Sequence, residues 1–279
     1  MFGKVVKHEL RADGLLYGVC FVIAVLFCIT TVINGRMIVH ASMVADWMTS
    51  TWVFLVMACG ISVAVLVLMY GINTAIRYDH SMYGREGYLT FTLPISTTKL
   101  VLGKMASAMI WGTGVFVVCG LLCFSILYST INPEVGIMST WELVKSIFSE
   151  QEIVLNIVLF LLFCLLGILE LISMIYISVC IAYLPCFRKG NRIIALVLFF
   201  VISFVEDKIL GLVSFATQHA LGLTVETDIM YIPNGIELAQ RLFSNFRILC
   251  IMGIVLCVIF TTIYTSITIY LTKKYTTLQ

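Results

Sequence analysis

This sequence has little charge. Of its 279 residues 17 are Lys or Arg and 15 are Asp or Glu, 11% together, while 61% are apolar and the mean hydropathy is +1.07. Soluble domains run near half apolar and a quarter charged. The gap excludes an ordinary soluble enzyme, a disordered regulator and a nucleic-acid binder. Sequence motifs of catalysis are missing too. There is no G-x-x-x-x-G-K-S/T phosphate loop, no G-x-S-x-G elbow, and His8-Glu9 is not followed by the second His of a zinc-protease helix. The four histidines, His8, His40, His80 and His219, fall in separate segments. No catalytic, cofactor or metal residue is assigned. No strong internal repeat is present, which counts mildly against a two-halved secondary transporter.

What is there instead is long apolar runs. Six stretches read as membrane helices: Leu15–Ile33, Val53–Ile76, Met105–Tyr128, Ile153–Tyr183, Ile193–Ala216 and Ile248–Leu271. Runs such as Ile157–Cys164 and Ile194–Phe204 do not alternate, so they suit helices and not a β-barrel. The fold class expected is an all-α integral membrane protein of six transmembrane helices, one transmembrane domain over 1–279. The basic residues before the first run are not followed by a clear cleavage site, so the first span reads as retained. Lys and Arg divide unevenly between the two sides. Lys4, Lys7, Arg11, Arg77, Arg85, Lys99, Lys104, Arg188, Lys189, Arg192, Lys273 and Lys274 fall with the termini, and Arg36, Lys145, Lys208, Arg241 and Arg247 opposite. The positive-inside bias then predicts a multi-pass plasma-membrane protein with both termini cytoplasmic. Nine of the ten cysteines lie in the apolar runs and Cys186 in a cytoplasmic loop, so they read as small core residues and not as a disulfide framework.

Three segments carry more information. At helical spacing Lys4, Lys7, His8 and Arg11 gather on one face of residues 1–12 and Phe2, Val5, Val6 and Leu10 on the other. This predicts an amphipathic helix on the cytoplasmic membrane surface, before the chain turns into the bilayer. Glu9 falls inside the apolar arc and demands a cationic or hydrogen-bonding partner from another cytoplasmic segment. The loop 77–104 mixes Arg77, Asp79, Arg85 and Glu86 with Tyr78, Tyr83, Tyr88 and Phe91, the composition of a protein-docking surface. Gly84 and Gly87 permit a bend around Arg85-Glu86, and Ser96 is a candidate N-cap for the next helix. Inside the membrane, Glu170 sits deep in the fourth run, where a carboxylate must face packed protein, a partner or a wet cavity. Glu206-Asp207-Lys208 interrupts the fifth run about 20 Å from its start. It predicts a break there, with Ile209–Ala216 folding back and the segment near Pro233 forming a second re-entrant arm. Small-residue spacings at Gly14/Gly18, Gly60/Ala64 and Ala108/Gly112 permit close helix contacts.

The segments Gly3–Ala12 (GKVVKHELRA) and Glu86–Ser96 (EGYLTFTLPIS) resemble the membrane subunit of bacterial type-2 ABC exporters. The resemblance implies that family's fold of six helices with an N-terminal amphipathic connecting helix carrying Lys4, Lys7, Glu9 and Arg11. It implies an ATPase-coupling helix at Tyr78–Leu93, centred on Tyr83, Arg85, Glu86, Gly87 and Tyr88. It also implies re-entrant helices in the outer loop 206–246. The partners implied are a separate ABC ATPase holding ATP and Mg, a second copy or relative of the permease, and membrane lipid. The exported substrate expected is an amphipathic or hydrophobic peptide, such as a toxin or antimicrobial peptide. Glu170, Glu206, Asp207 and Lys208 are then candidates for the translocation path or for packing. The rival expectation is a stand-alone secondary transporter or membrane sensor with no ATPase.

Overall fold

A computed structural model describes residues 2–40, 46–84, 96–130, 151–184, 191–220 and 235–276. Every regular element among them is an α-helix: α1 (Phe2–His40), α2 (Asp46–Met82), α3 (Thr97–Thr130), α4 (Gln151–Ala182), α5 (Asn191–Ala220) and α6 (Gly235–Thr276). None of the six described helices contains a proline. That is what lets the helices run so long, since an internal proline removes a hydrogen bond and clashes with the preceding turn. Five of them, at Val6–Ile38, Asp46–Met82, Thr97–Tyr128, Ile153–Ala182 and Asn245–Lys274, are long and apolar enough to cross a membrane. Their surfaces are studded with exposed Leu, Ile, Val and Phe, as lipid-facing helices require. The chain is an α-helical multi-pass membrane protein.

The helices form two compact units, Met1–Lys145 and Ser146–Gln279. In the first, α1, α2 and α3 all pack on one another, most extensively α1 on α3. In the second, α4 is the shared helix, packing on both α5 and α6. Its stretch Ile172–Cys180 is buried without interruption.

Two expectations are corrected. The N-terminal helix does not end before the first span: α1 is one 39-residue helix of about 58 Å that continues through Ala12, Asp13 and Gly14. Buried contacts made by Glu9 and Tyr17, two turns apart on one face, hold both parts in a single rod. The fifth span does not break at Glu206-Asp207-Lys208. Those residues lie in mid-helix, and Ile209–Ala216 continues α5 instead of folding back. The helix turns Glu206 inward while Asp207 and Lys208 remain exposed, so three consecutive charges need no break. Much of the expected outer loop 206–246 is thus absorbed into α5 and α6, and the segment near Pro233 lies outside the described residues.

Of the small-residue spacings, Ala108/Gly112 lies at a close contact, the Ala108 carbonyl accepting from Tyr70 of α2, while others face open space. A Cβ at Gly18 or Gly60 would meet nothing within 4 Å, whereas one at Gly253 on α6 would stand 2.6 Å from the Phe163 ring of α4.

Candidate functional site

The first unit holds a charged cluster where α1, α2 and α3 meet. Glu9, Asp13 and Tyr17 recur every four residues on α1 and so share a face. Tyr70, Asn73 and Arg77 form the matching stripe on α2, and Lys104, Ala108 and Trp111 that on α3. Glu9 receives both cations. Arg77 Nε donates to its Oε2 at 2.6 Å and Lys104 Nζ to its Oε1 at 2.6 Å. Arg77 Nη1 also donates to Asp13 Oδ1 at 3.1 Å. Two carboxylates and two cations leave the cluster neutral. The side chains of Glu9 and Lys104 are only 10% and 6% exposed, so neither could be left alone without a large desolvation cost.

One turn deeper the polar groups continue. Asn73 Nδ2 donates to the Tyr17 hydroxyl at 3.3 Å, and the Tyr70 hydroxyl donates to the Ala108 carbonyl at 3.0 Å. The Tyr17 ring stacks on Trp111 with centroids 4.7 Å apart. These contacts fix the depth at which the three helices meet. The sequence asked for a partner to Glu9, and the structure supplies two. The loop expected over 77–104 is shorter than that, since 77–82 belong to α2 and 97–104 to α3; Arg77 and Lys104 are in the helices that flank it, so one carboxylate links the N-terminal segment to both flanking helices.

The other predicted residues fall as follows. Lys7 and Arg11 are exposed, away from this cluster; of Lys4 only the helical backbone is described. Tyr83 follows the end of α2, where its amide and that of Gly84 both donate to the Asp79 carbonyl, and its ring meets Tyr78 edge-on. A Cβ at Gly84 would come 2.6 Å from the His80 carbonyl oxygen, so the turn out of α2 needs glycine. Arg85, Glu86, Gly87 and Tyr88 lie outside the described residues. Ser96 stands immediately before α3 and its carbonyl accepts from Leu100, the backbone position of an N-cap.

In the second unit the side chains of Glu170 of α4 and Glu206 of α5 interact with each other. The Tyr264 hydroxyl of α6 donates to Glu206 Oε2 at 3.2 Å, and the Cys257 thiol faces Glu170. Glu206 is 7% exposed. Asp207 and Lys208 do not join them; Lys208 Nζ lies over the Phe204 ring, 5.0 Å from its centroid. Elsewhere in this unit Arg247 Nε donates to Asn156 Oδ1 at 3.2 Å, tying α6 to α4.

Sequence reasoning missed Asp13, Asn73, Tyr17, Cys257 and Tyr264; it read Arg77 as part of a docking loop and Lys104 as that loop's end and an orienting charge, not as partners of Glu9. The available signal was spacing: Asp13 stands four residues after Glu9, and Asn73 four before Arg77. Among the described residues no group of three or more His, Cys, Asp or Glu could hold a metal ion. No protein-family model, curated protein or solved structure matches the chain.

Proposed function

We propose that this chain is the membrane-spanning subunit of an ATP-driven exporter of the type-2 ABC class, working with a separate ATPase. The observation that carries the reading is the Glu9 bridge. A coupling loop at the membrane surface moves the spans only if its flanks are rigidly tied to them. Arg77, near the end of α2, and Lys104, near the start of α3, stand on either side of the connection 83–96 and are both clamped to α1 through one buried carboxylate. ATP binding by paired ATPase subunits would favour one arrangement of the spans through differential contacts with that loop. The clamp passes the displacement to α1, α2 and α3 together. Hydrolysis belongs to the partner; Arg85 and Glu86 are assigned to docking it. The scarcity of polar side chains in the spans favours an amphipathic or hydrophobic cargo, a peptide first, over a hydrated ion or sugar.

A second reading is a stand-alone secondary transporter, favoured by the facing acids Glu170 and Glu206. Purification of the tagged chain from its native membranes in mild detergent separates the two. An ABC ATPase recovered in about equal amount, and lost on changing Arg85 and Glu86 to Ala, is the result expected. Recovery of the chain with no ATPase at any detergent strength would sink the exporter reading.

A further inference from the structure

Glu170 and Glu206 lie near the middle of their helices, 19 residues from the start of α4 and 15 from the start of α5. At about 1.5 Å per residue each is about 20 Å or more from that end; α4 is among the five helices apolar enough to cross a membrane, and α5 packs along it. An ionised carboxylate there needs a cation or several hydrogen-bond donors. Among the described residues neither acid has a cation partner. The groups facing them are each other, the Cys257 thiol and the Tyr264 hydroxyl, with Asp207 next along α5. Two interacting negative charges in an apolar surrounding repel strongly.

A second observation comes from α6. Thr261 stands four residues after Cys257 and three before Tyr264, so it shares the helix face that both present to the acids. It is 8% exposed, and its Oγ1 has no hydrogen-bond partner among the described residues. Glu170 Oε1 is likewise sealed from solvent without a partner. A proton placed on Glu170 turns an acceptor-only oxygen into a donor and removes one of the two facing charges.

We propose that Glu170 and Glu206 form a membrane-embedded proton-binding site, in which at least one carboxyl is held as the neutral acid while α4, α5 and α6 stay packed. The ligand is a proton, not a metal ion or an organic amine. Releasing it leaves two facing carboxylates that push α4 and α5 apart, so proton loading and helix packing are coupled. This rests on the membrane-spanning reading and not on the ATPase partner, so loss of the exporter reading leaves it standing.

Infrared spectroscopy of the full-length protein in lipid nanodiscs near neutral pH tests it. The native protein should give the C=O stretch of a protonated carboxylic acid, moved by D2O and moved again when glutamate alone carries side-chain 13C. That band should vanish in the E170Q/E206Q protein. Absence of the band in the native protein overturns the proposal, as does a band indifferent to the glutamate label. Where the double variant does not fold, the single variants E170Q and E206Q decide: one or both must remove or shift the labelled band, and a band unchanged in both overturns the proposal. A band abolished by added sodium, potassium or an alkylammonium ion would also overturn it, because the site would then take that cation in place of the proton.

Discussion

Each compact unit hides glutamate among apolar helices, and the two units relieve that burial in opposite ways. In the first, Glu9 meets Arg77 and Lys104 at 2.6 Å each, with Asp13 completing a neutral set. In the second, Glu206 meets another acid and a tyrosine hydroxyl, with no cation paired to it among the described residues. The first arrangement depends on charge: remove the anion and buried Lys104 loses its partner, while Arg77 is left with Asp13 alone. The second depends on protons and hydrogen bonds, where a neutral acid serves and a full negative charge is a burden. A buried carboxyl in a membrane helix therefore does not announce one role; its neighbours decide whether it is a clamp or a proton site.

Charge reversal breaks the comparison most sharply. Glu9→Lys places a third cation against Arg77 and Lys104, and removing one member of a buried ion pair already costs about 3–5 kcal/mol. Folded protein recovered in detergent should fall steeply, as judged by size-exclusion chromatography with a fluorescent fusion. Lys104→Met comes next. It leaves Glu9 with Arg77 alone, and the loss of one charged hydrogen bond costs about 1.5–3 kcal/mol, read from thermal unfolding in detergent.

How far the sequence reaches is clear at these positions. The apolar runs revealed the long helices, because twenty uncharged residues have few other uses. They did not reveal that α1 continues through Asp13, since a polar turn at a membrane boundary looks alike whether the helix bends or not. Glu9's need for a partner was legible from its place in an apolar arc. The partners were not, because Arg77 and Lys104 lie 68 and 95 positions away and only packing brings them near. Glu206-Asp207-Lys208 misled for a related reason. Counted along the chain, three charges interrupt a span; projected around a helix they point about 100° apart, and Glu206 alone turns inward.

Packing in the second unit gives a smaller effect that charge cannot explain. Gly253→Ala sets a methyl 2.6 Å from the Phe163 ring, and overpacking of this kind costs about 1–3 kcal/mol. Phe163→Leu in the same chain should recover part of that stability, and a melting series of the two single variants and the double variant measures it. Tyr264→Phe is milder still. It removes one hydrogen bond to Glu206, a loss of about 1 kcal/mol, visible as a small drop in melting temperature beside an unchanged first unit.

The most direct measurement is the thermal stability of Glu9→Gln beside Glu206→Gln in one nanodisc preparation. Both changes keep the side chain's shape and remove only its capacity for negative charge. E9Q should be strongly destabilised, by about 3–5 kcal/mol, because buried Lys104 loses its anion and Arg77 one of its two. E206Q should stay within about 1 kcal/mol of the native protein, because a neutral group already suits that position. Equal losses, or the larger loss at Glu206, would contradict the division between a charge clamp and a proton site.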